Sequence, residues 1–323
     1  MLKFTNFIFF TLKSKNFVRK LSLDRIITPE TLKEVIDKKI DQVKILDCTY
    51  TFGPKPDYET FMKLKYGKFD KLMKESSESK EKYLEQHIQS SIFFDMNCAL
   101  YPGKYERFSF YNKNEFEEYP KLLGINKDDH LICYSRGSGG GNTFAGRCFR
   151  IFQMYGHKNI SLLSGGFDKW KDYKFPIVNG EEKKITKGDW CGIDKNDIII
   201  TFEELEKKDS YGKCIFDKVG SSITMLDARN EEEFENSHIR GANSFPVNKL
   251  INTDGTLKSK YEIMEIITIK KINISNPIIT YCVTGNLASL LSVILENIVL
   301  LPNRTYNGSI YEIEARDPSK LTS

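Results

Sequence analysis

The chain repeats itself, and an internal repeat restricts the folds open to it more than any other feature. Thr28-Pro29-Glu30-Thr31-Leu32 opens a helix, Ile45-Leu46-Asp47 closes a strand and His87-Ile88 follows. The second half returns Thr201-Phe202-Glu203-Glu204-Leu205, Met225-Leu226-Asp227 and His238-Ile239 in the same order. Each half then gives an apolar strand and a turn, Leu131-Ile132-Cys133-Tyr134-Ser135 against Ile278-Ile279-Thr280-Tyr281-Cys282. Each ends on a Gly-containing turn, Ser164-Gly165-Gly166-Phe167 or Asn307-Gly308-Ser309. Strands alternating with helical stretches predict an α/β chain in which each copy is a parallel sheet flanked by helices. Sites in such sheets form beyond the carboxyl ends of the strands. The domains are expected at 26–178 and 201–318, joined by a polar linker at 179–200 that carries Glu181-Glu182-Lys183-Lys184. Lys63 to Tyr83, rich in Lys, Glu and Ser, is expected to be an amphipathic excursion with a solvated helix face.

Charge and cysteine usage exclude several function classes. The 48 basic and 44 acidic side chains are interspersed and leave a net charge of only +4, so no nucleic-acid surface is expected. Seven cysteines without a CxxC pair point to a reducing compartment. The histidines are scattered, so neither a metal nor a cofactor is expected. Residues 1–23 carry basic and hydroxyl side chains and no acid before Asp24, the composition of a mitochondrial presequence or a disordered tail. Lys13 and Lys15 break the apolar part, which is too short to span a bilayer. A mitochondrial or cytoplasmic location and no membrane partner are expected.

Chemistry concentrates at Cys282. An apolar strand stops there, Val283-Thr284-Gly285-Asn286-Leu287 follow, and helical content resumes at Ala288. At the mouth of a loop feeding a helix, backbone N–H groups without helical partners converge and the helix dipole adds positive potential, which favours a thiolate. Gly285 can take positive φ, and Asn286 tolerates it better than most, so the loop can curl round the sulfur. Cysteine phosphatases need an arginine six positions after the cysteine, and that position is Ala288, which disfavours phosphoryl transfer. In the first copy Ser135 takes the place of Cys282, and Arg136-Gly137-Ser138-Gly139-Gly140-Gly141-Asn142 reads as too long and flexible to aim N–H groups at a point. It resembles a dinucleotide fingerprint only loosely and lacks a ribose-binding acid. Cys133, two residues before the loop position, reads as core, so the first copy is expected to be non-catalytic.

The sequence Cys282-Val283-Thr284-Gly285-Asn286-Leu287, followed by Ala288-Ser289, resembles the six-residue active-site loop of the rhodanese family. Asp227-Ala228-Arg229, His238-Ile239-Arg240-Gly241-Ala242, Gly156-His157-Lys158-Asn159-Ile160 and Gly166-Phe167-Asp168-Lys169-Trp170 extend the likeness to tandem-domain sulfurtransferases of the thiosulfate and 3-mercaptopyruvate type. The resemblance implies two rhodanese-like domains and a Cys282 persulfide that passes sulfur to cyanide or a thiol such as thioredoxin. It further implies substrate contacts from Arg229, Val283, Thr284, Gly285, Asn286 and Leu287, support from Asp227, a structural His238, and a monomer. Thiosulfate-type loops are basic where this chain has Val283 and Thr284, which points to 3-mercaptopyruvate as donor. Leu287 and a closing segment, Asn307 to Ile313, without tryptophan depart from the family pattern. They leave open a catalytically degraded binding or redox-sensing module.

Overall fold

The computed structural model describes residues 23–181, 185–194 and 196–323, so the expected presequence lies outside the described residues apart from Leu23. In the first half β1 (Ile26–Ile27), β2 (Val43–Asp47), β3 (Ser91–Phe93), β4 (His130–Tyr134) and β5 (Ile160–Leu163) pair in the order β1-β5-β4-β2-β3, all parallel. In the second, β6 (Ile199–Ile200), β7 (Thr224–Asp227), β8 (Asn243–Ser244), β9 (Ile278–Tyr281) and β10 (Asn303–Tyr306) repeat that order as β6-β10-β9-β7-β8. The register repeats as well: Asp47 lies beside Tyr134, and Asp227 beside Tyr281.

Local chemistry accounts for the repeated starts. Thr28 accepts the Thr31 N–H at 3.3 Å and Pro29 begins α1 (Pro29–Asp37), where a missing donor has no cost. Helix α2 (Thr143–Met154) follows β4 in the first copy. In the second copy Thr201 and Glu204 form a capping box on α3 (Phe202–Glu206). In both copies the short His-Ile strand is tied to the sheet by a tyrosine hydroxyl, Tyr134 accepting from Ile88 N and Tyr281 from Ile239 N.

The two domains share one core. Helix α4 (Asn286–Ile294) crosses α2, and a Cβ on Gly146 would lie 2.9 Å from Leu290 Cα, so glycine permits the approach. Phe144, Phe149, Leu290 and Leu291 belong to a single apolar cluster that runs through both halves.

Two expectations change, for the linker and for the glycine-rich turn. Within the expected linker, residues 188–193 are strapped onto the first domain: Gly188 N and Ile193 N bond Lys121 O and Tyr155 O, and Trp190 is fully buried, its N–H bonding Ile125 O and its indole donating to His157 Nδ1 at 3.1 Å. The linker's last residues are β6 itself. The excursion at 63–83 is amphipathic, as expected: its short helices, Tyr58–Leu64, Phe69–Leu72 and Glu78–Glu85, bury Phe61, Phe69, Leu72 and Tyr83, while Lys63, Lys68, Lys71 and Lys74 are exposed. The glycine-rich turn is closed instead of slack: Ser135 N and Oγ both donate to Gly141 O, and Gly140 packs so tightly on Gly255 that a Cβ would sit 2.5 Å from its Cα. Those glycines serve the domain contact.

Candidate active site

Cys282 stands at the carboxyl end of β9, the middle strand of its sheet, with α4 starting four residues on. Gly285 caps α4 at φ 83°, a left-handed conformation that turns its N–H back to Cys282 Sγ at 3.1 Å. The turn is braced from the following segment. Cys282 N donates to Ser309 Oγ at 3.1 Å, Ser309 Oγ donates to Tyr306 O, and Ile310 N and Tyr311 N donate to the carbonyls of Cys282 and Val283. Ser309 itself sits at φ 55°, strain of the kind that persists where surroundings over-determine a functional position. Helix α5 (Ser309–Arg316) leads away from it. Within the altered closing segment, Ser309 thus braces the Cys282 turn.

The two turns differ in what meets the loop residue. Ser135 Oγ donates to Gly141 O at 2.7 Å and accepts from Ala145 N at 3.2 Å, whereas Cys282 Sγ accepts the N–H of Gly285 at 3.1 Å. The carbonyl in the first turn would repel a negative sulfur, and the N–H in the second suits one. Val283, Thr284 and Leu287 are partly exposed at the rim, while Gly285 and Asn286 are buried, with Asn286 Nδ2 donating to Thr284 Oγ1 at 3.2 Å.

From below, the first domain reaches into the turn. Arg147, fully buried on α2, donates through Nη1 to Ser289 Oγ at 3.1 Å and Gly285 O at 3.4 Å, and through Nη2 to Asn307 Oδ1 at 2.6 Å. Asn307 Nδ2 in turn donates to Glu106 Oε1 and Phe108 O. Burial pulls the Arg147 guanidinium down to about 10, while negative charge at Cys282 and Glu106 holds it up. A cation from the expected non-catalytic domain thus underlies the catalytic turn. Arg150, one turn along α2, bonds Glu296, Thr305 Oγ1 and Ile198 O and fastens the same interface. Neither arginine stood out in the sequence; two arginines three apart on an otherwise apolar helix were the available signal.

The structure turns Arg229 onto Asp227. Its Nε lies 3.0 Å from both carboxylate oxygens and Nη2 2.6 Å from Oδ2, with Ser237 O as a further acceptor. At 5% exposure its bonded partners are these groups, and Asp227 also accepts the Arg229 N–H, which fixes the strand end. In the first copy Arg136 supplies the cation for Asp47 from the other strand end.

Cys133 is fully buried, 3.6 Å from Cys148, and with Cys48 forms a trio whose sulfurs lie within 4.8 Å of one another. Burial pushes the Cys48 and Cys148 thiols well above their usual range, while Cys133, against the same burial, is drawn down to about 6 by its hydrogen bonds with Cys148 and Cys48.

A family model described as a Rhodanese-like domain matches residues 28–173 and 203–315. The chain belongs to the rhodanese family. It is 36% identical over 322 residues to a Caenorhabditis elegans protein named "Putative thiosulfate sulfurtransferase mpst-1", covering 94% of this chain and 98% of that one. It is 27% identical over 217 residues to the Rattus norvegicus 3-mercaptopyruvate sulfurtransferase, covering 66% of this chain and 72% of that one. The crystal structure of the Tum1 protein from Saccharomyces cerevisiae superposes with a TM-score of 0.72 at 22% identity, covering 94% of this chain and 99% of that one. That likeness shows a shared fold across both halves of the chain.

Proposed function

We propose that this rhodanese-family chain is a sulfurtransferase that carries sulfur on Cys282. The observation that carries the reading is the Gly285 N–H aimed at Cys282 Sγ at 3.1 Å, inside a turn braced by Ser309 and Arg147. The Cys282 thiolate attacks the sulfur of 3-mercaptopyruvate, an S–S bond forms and the donor's C–S bond breaks. Pyruvate leaves as its enolate and takes up a proton. An acceptor thiolate or cyanide then attacks the outer sulfur and returns the Cys282 thiolate. The neutral Val283 and Thr284 favour this monocarboxylate over dianionic thiosulfate, and a small thiol or thioredoxin serves as acceptor. Asp227 and Arg229 act together as the brace of the neighbouring strand end.

The test is steady-state transfer to cyanide with both donors. Wild-type protein should turn over, with 3-mercaptopyruvate the better donor, and Cys282→Ser should lose transfer while keeping its melt. Substantial transfer by Cys282→Ser would overturn the assignment and favour a binding or redox-sensing module.

A further inference from the structure

The geometry points to an anion-reading site for the sulfur donor supplied by the first domain, with Lys55 beside the rim of the Cys282 turn and Arg107 as its neighbouring cation. The inference rests on the sulfurtransferase reading for the identity of the donor, but not for the presence of the charge.

A negatively charged donor needs positive charge at the mouth of the turn, where Val283, Thr284 and Leu287 are neutral; the buried Arg147 beneath it is already engaged by Ser289, Gly285 and Asn307. Arg229 is no substitute, because its fork is already engaged by Asp227. Two cations approach from the first domain by separate routes. Lys55 Nζ lies 5.0 Å from the centre of the Tyr311 ring, and Tyr311 N donates to Val283 O at 3.0 Å, so Lys55 is one residue away from the rim. Arg107 lies between Phe52 and Phe108, its Cζ 5.3 and 5.2 Å from the two ring centres, with Gly53 O as its bonded acceptor. The Phe108 carbonyl accepts from Asn307 Nδ2 at 2.7 Å. Asn307 O in turn would lie 2.7 Å from a Cβ placed on Gly285.

The two cations sense each other. Burial lowers the Lys55 pKa, the Arg107 charge acts in the same direction, and Glu106 opposes them. Glu106 is the nearby acid, and it is engaged by Asn307 Nδ2 and Ser109 Oγ. Among the described residues neither Lys55 nor Arg107 forms an ion pair, and Arg107 Nε is buried without a hydrogen-bond partner. Two neighbouring like charges, offset only by a Glu106 that is itself engaged by Asn307 and Ser109, suit a place that an anion visits. Local excess of positive charge raises anion concentration and association rate, by roughly 10–10³ where the field is well focused. The two copies thereby differ in what they contribute, the second domain holding the reactive sulfur and the first bringing the donor to it.

Alkylation of Cys282 by iodoacetate, an anion, and by iodoacetamide, its neutral counterpart, tests this without requiring turnover. Peptide mass spectrometry separates Cys282 from the exposed Cys191. Lys55→Gln should slow iodoacetate about tenfold and leave iodoacetamide unchanged, Arg107→Gln should act in the same direction, and Lys55→Arg should restore the rate. High salt should erase the difference in the wild-type protein. Equal effects on both reagents, or none on either, would overturn the inference. If the charge ratio responds while the wild type transfers no sulfur from any donor, the anion site stands and the sulfurtransferase reading falls. If transfer is normal and the ratio does not respond, the reverse holds.

Discussion

Replacing Arg147 by methionine keeps most of its aliphatic volume and removes a charge and three hydrogen bonds from beneath the Cys282 turn. Gly285 O keeps two donors, Ser289 N at 3.0 Å and Ser289 Oγ at 2.7 Å, so the turn is not left unsatisfied. Asn307 Oδ1 loses its donor, which costs about 1–3 kcal/mol for a buried acceptor. Against this, Arg147 is fully buried and forms no ion pair among the described residues, so its removal relieves a desolvation penalty on the order of several kcal/mol. The two effects offset each other, and the melting temperature should move by only a few degrees. Activity should not be spared. Without the clamp, the Gly285 N–H is no longer held on the sulfur and the buried cation beneath the turn is gone. We expect kcat to fall about 10- to 100-fold, or about 1.4–2.8 kcal/mol, with KM within about twofold. Arg147→Lys keeps the charge without the fork and should recover part of the loss. Stopped-flow measurement of sulfur loading, beside thermal melts, makes the comparison. A methionine variant with wild-type kcat would refute the reasoning and show that the turn holds itself.

Other substitutions test separate parts of the account. Gly285→Ala places a Cβ 2.7 Å from Asn307 O at φ 83°, so it should destabilise the fold by roughly 1–3 kcal/mol and abolish most transfer, read by melts and steady-state kinetics. Cys133→Ser sits in the buried sulfur trio, and it should lower stability through a polar group in an apolar core while leaving the kcat of the remaining folded protein close to wild type. A comparison of kcat/KM for the two donors should favour 3-mercaptopyruvate; if thiosulfate proves better, the neutral rim does not set donor choice.

The repeat and the catalytic turn were legible in the sequence because both rest on local chemistry. Thr28 and Thr201 cap helices, Asp47 and Asp227 end strands, and Gly285 takes the left-handed turn its sequence context required. Contacts between the copies were not legible, since they join residues more than a hundred positions apart. Arg147 and Arg150 look like surface charges until α2 is laid against α4, and the run from Gly137 to Gly141 looks slack until Gly255 is packed on Gly140. Arg229 illustrates a different limit. Its position beside the strand end was readable, but a rotamer decides whether its guanidinium faces a substrate or folds onto Asp227, and in the structure it folds back. Trp190 was hidden by the polar residues around it, although an indole seldom stays in water when an aromatic cluster such as Phe116, Phe152 and Tyr155 lies within reach.

The central claim is that Cys282 alone carries the transferable sulfur, and it is tested most directly by intact and peptide mass spectrometry after incubation with 3-mercaptopyruvate in the absence of acceptor. The account predicts one added sulfur on the wild-type protein, located on the peptide that contains Cys282 and removed by cyanide, with none on Cys282→Ser. An unmodified wild-type protein, or an added sulfur that persists in Cys282→Ser, would contradict it.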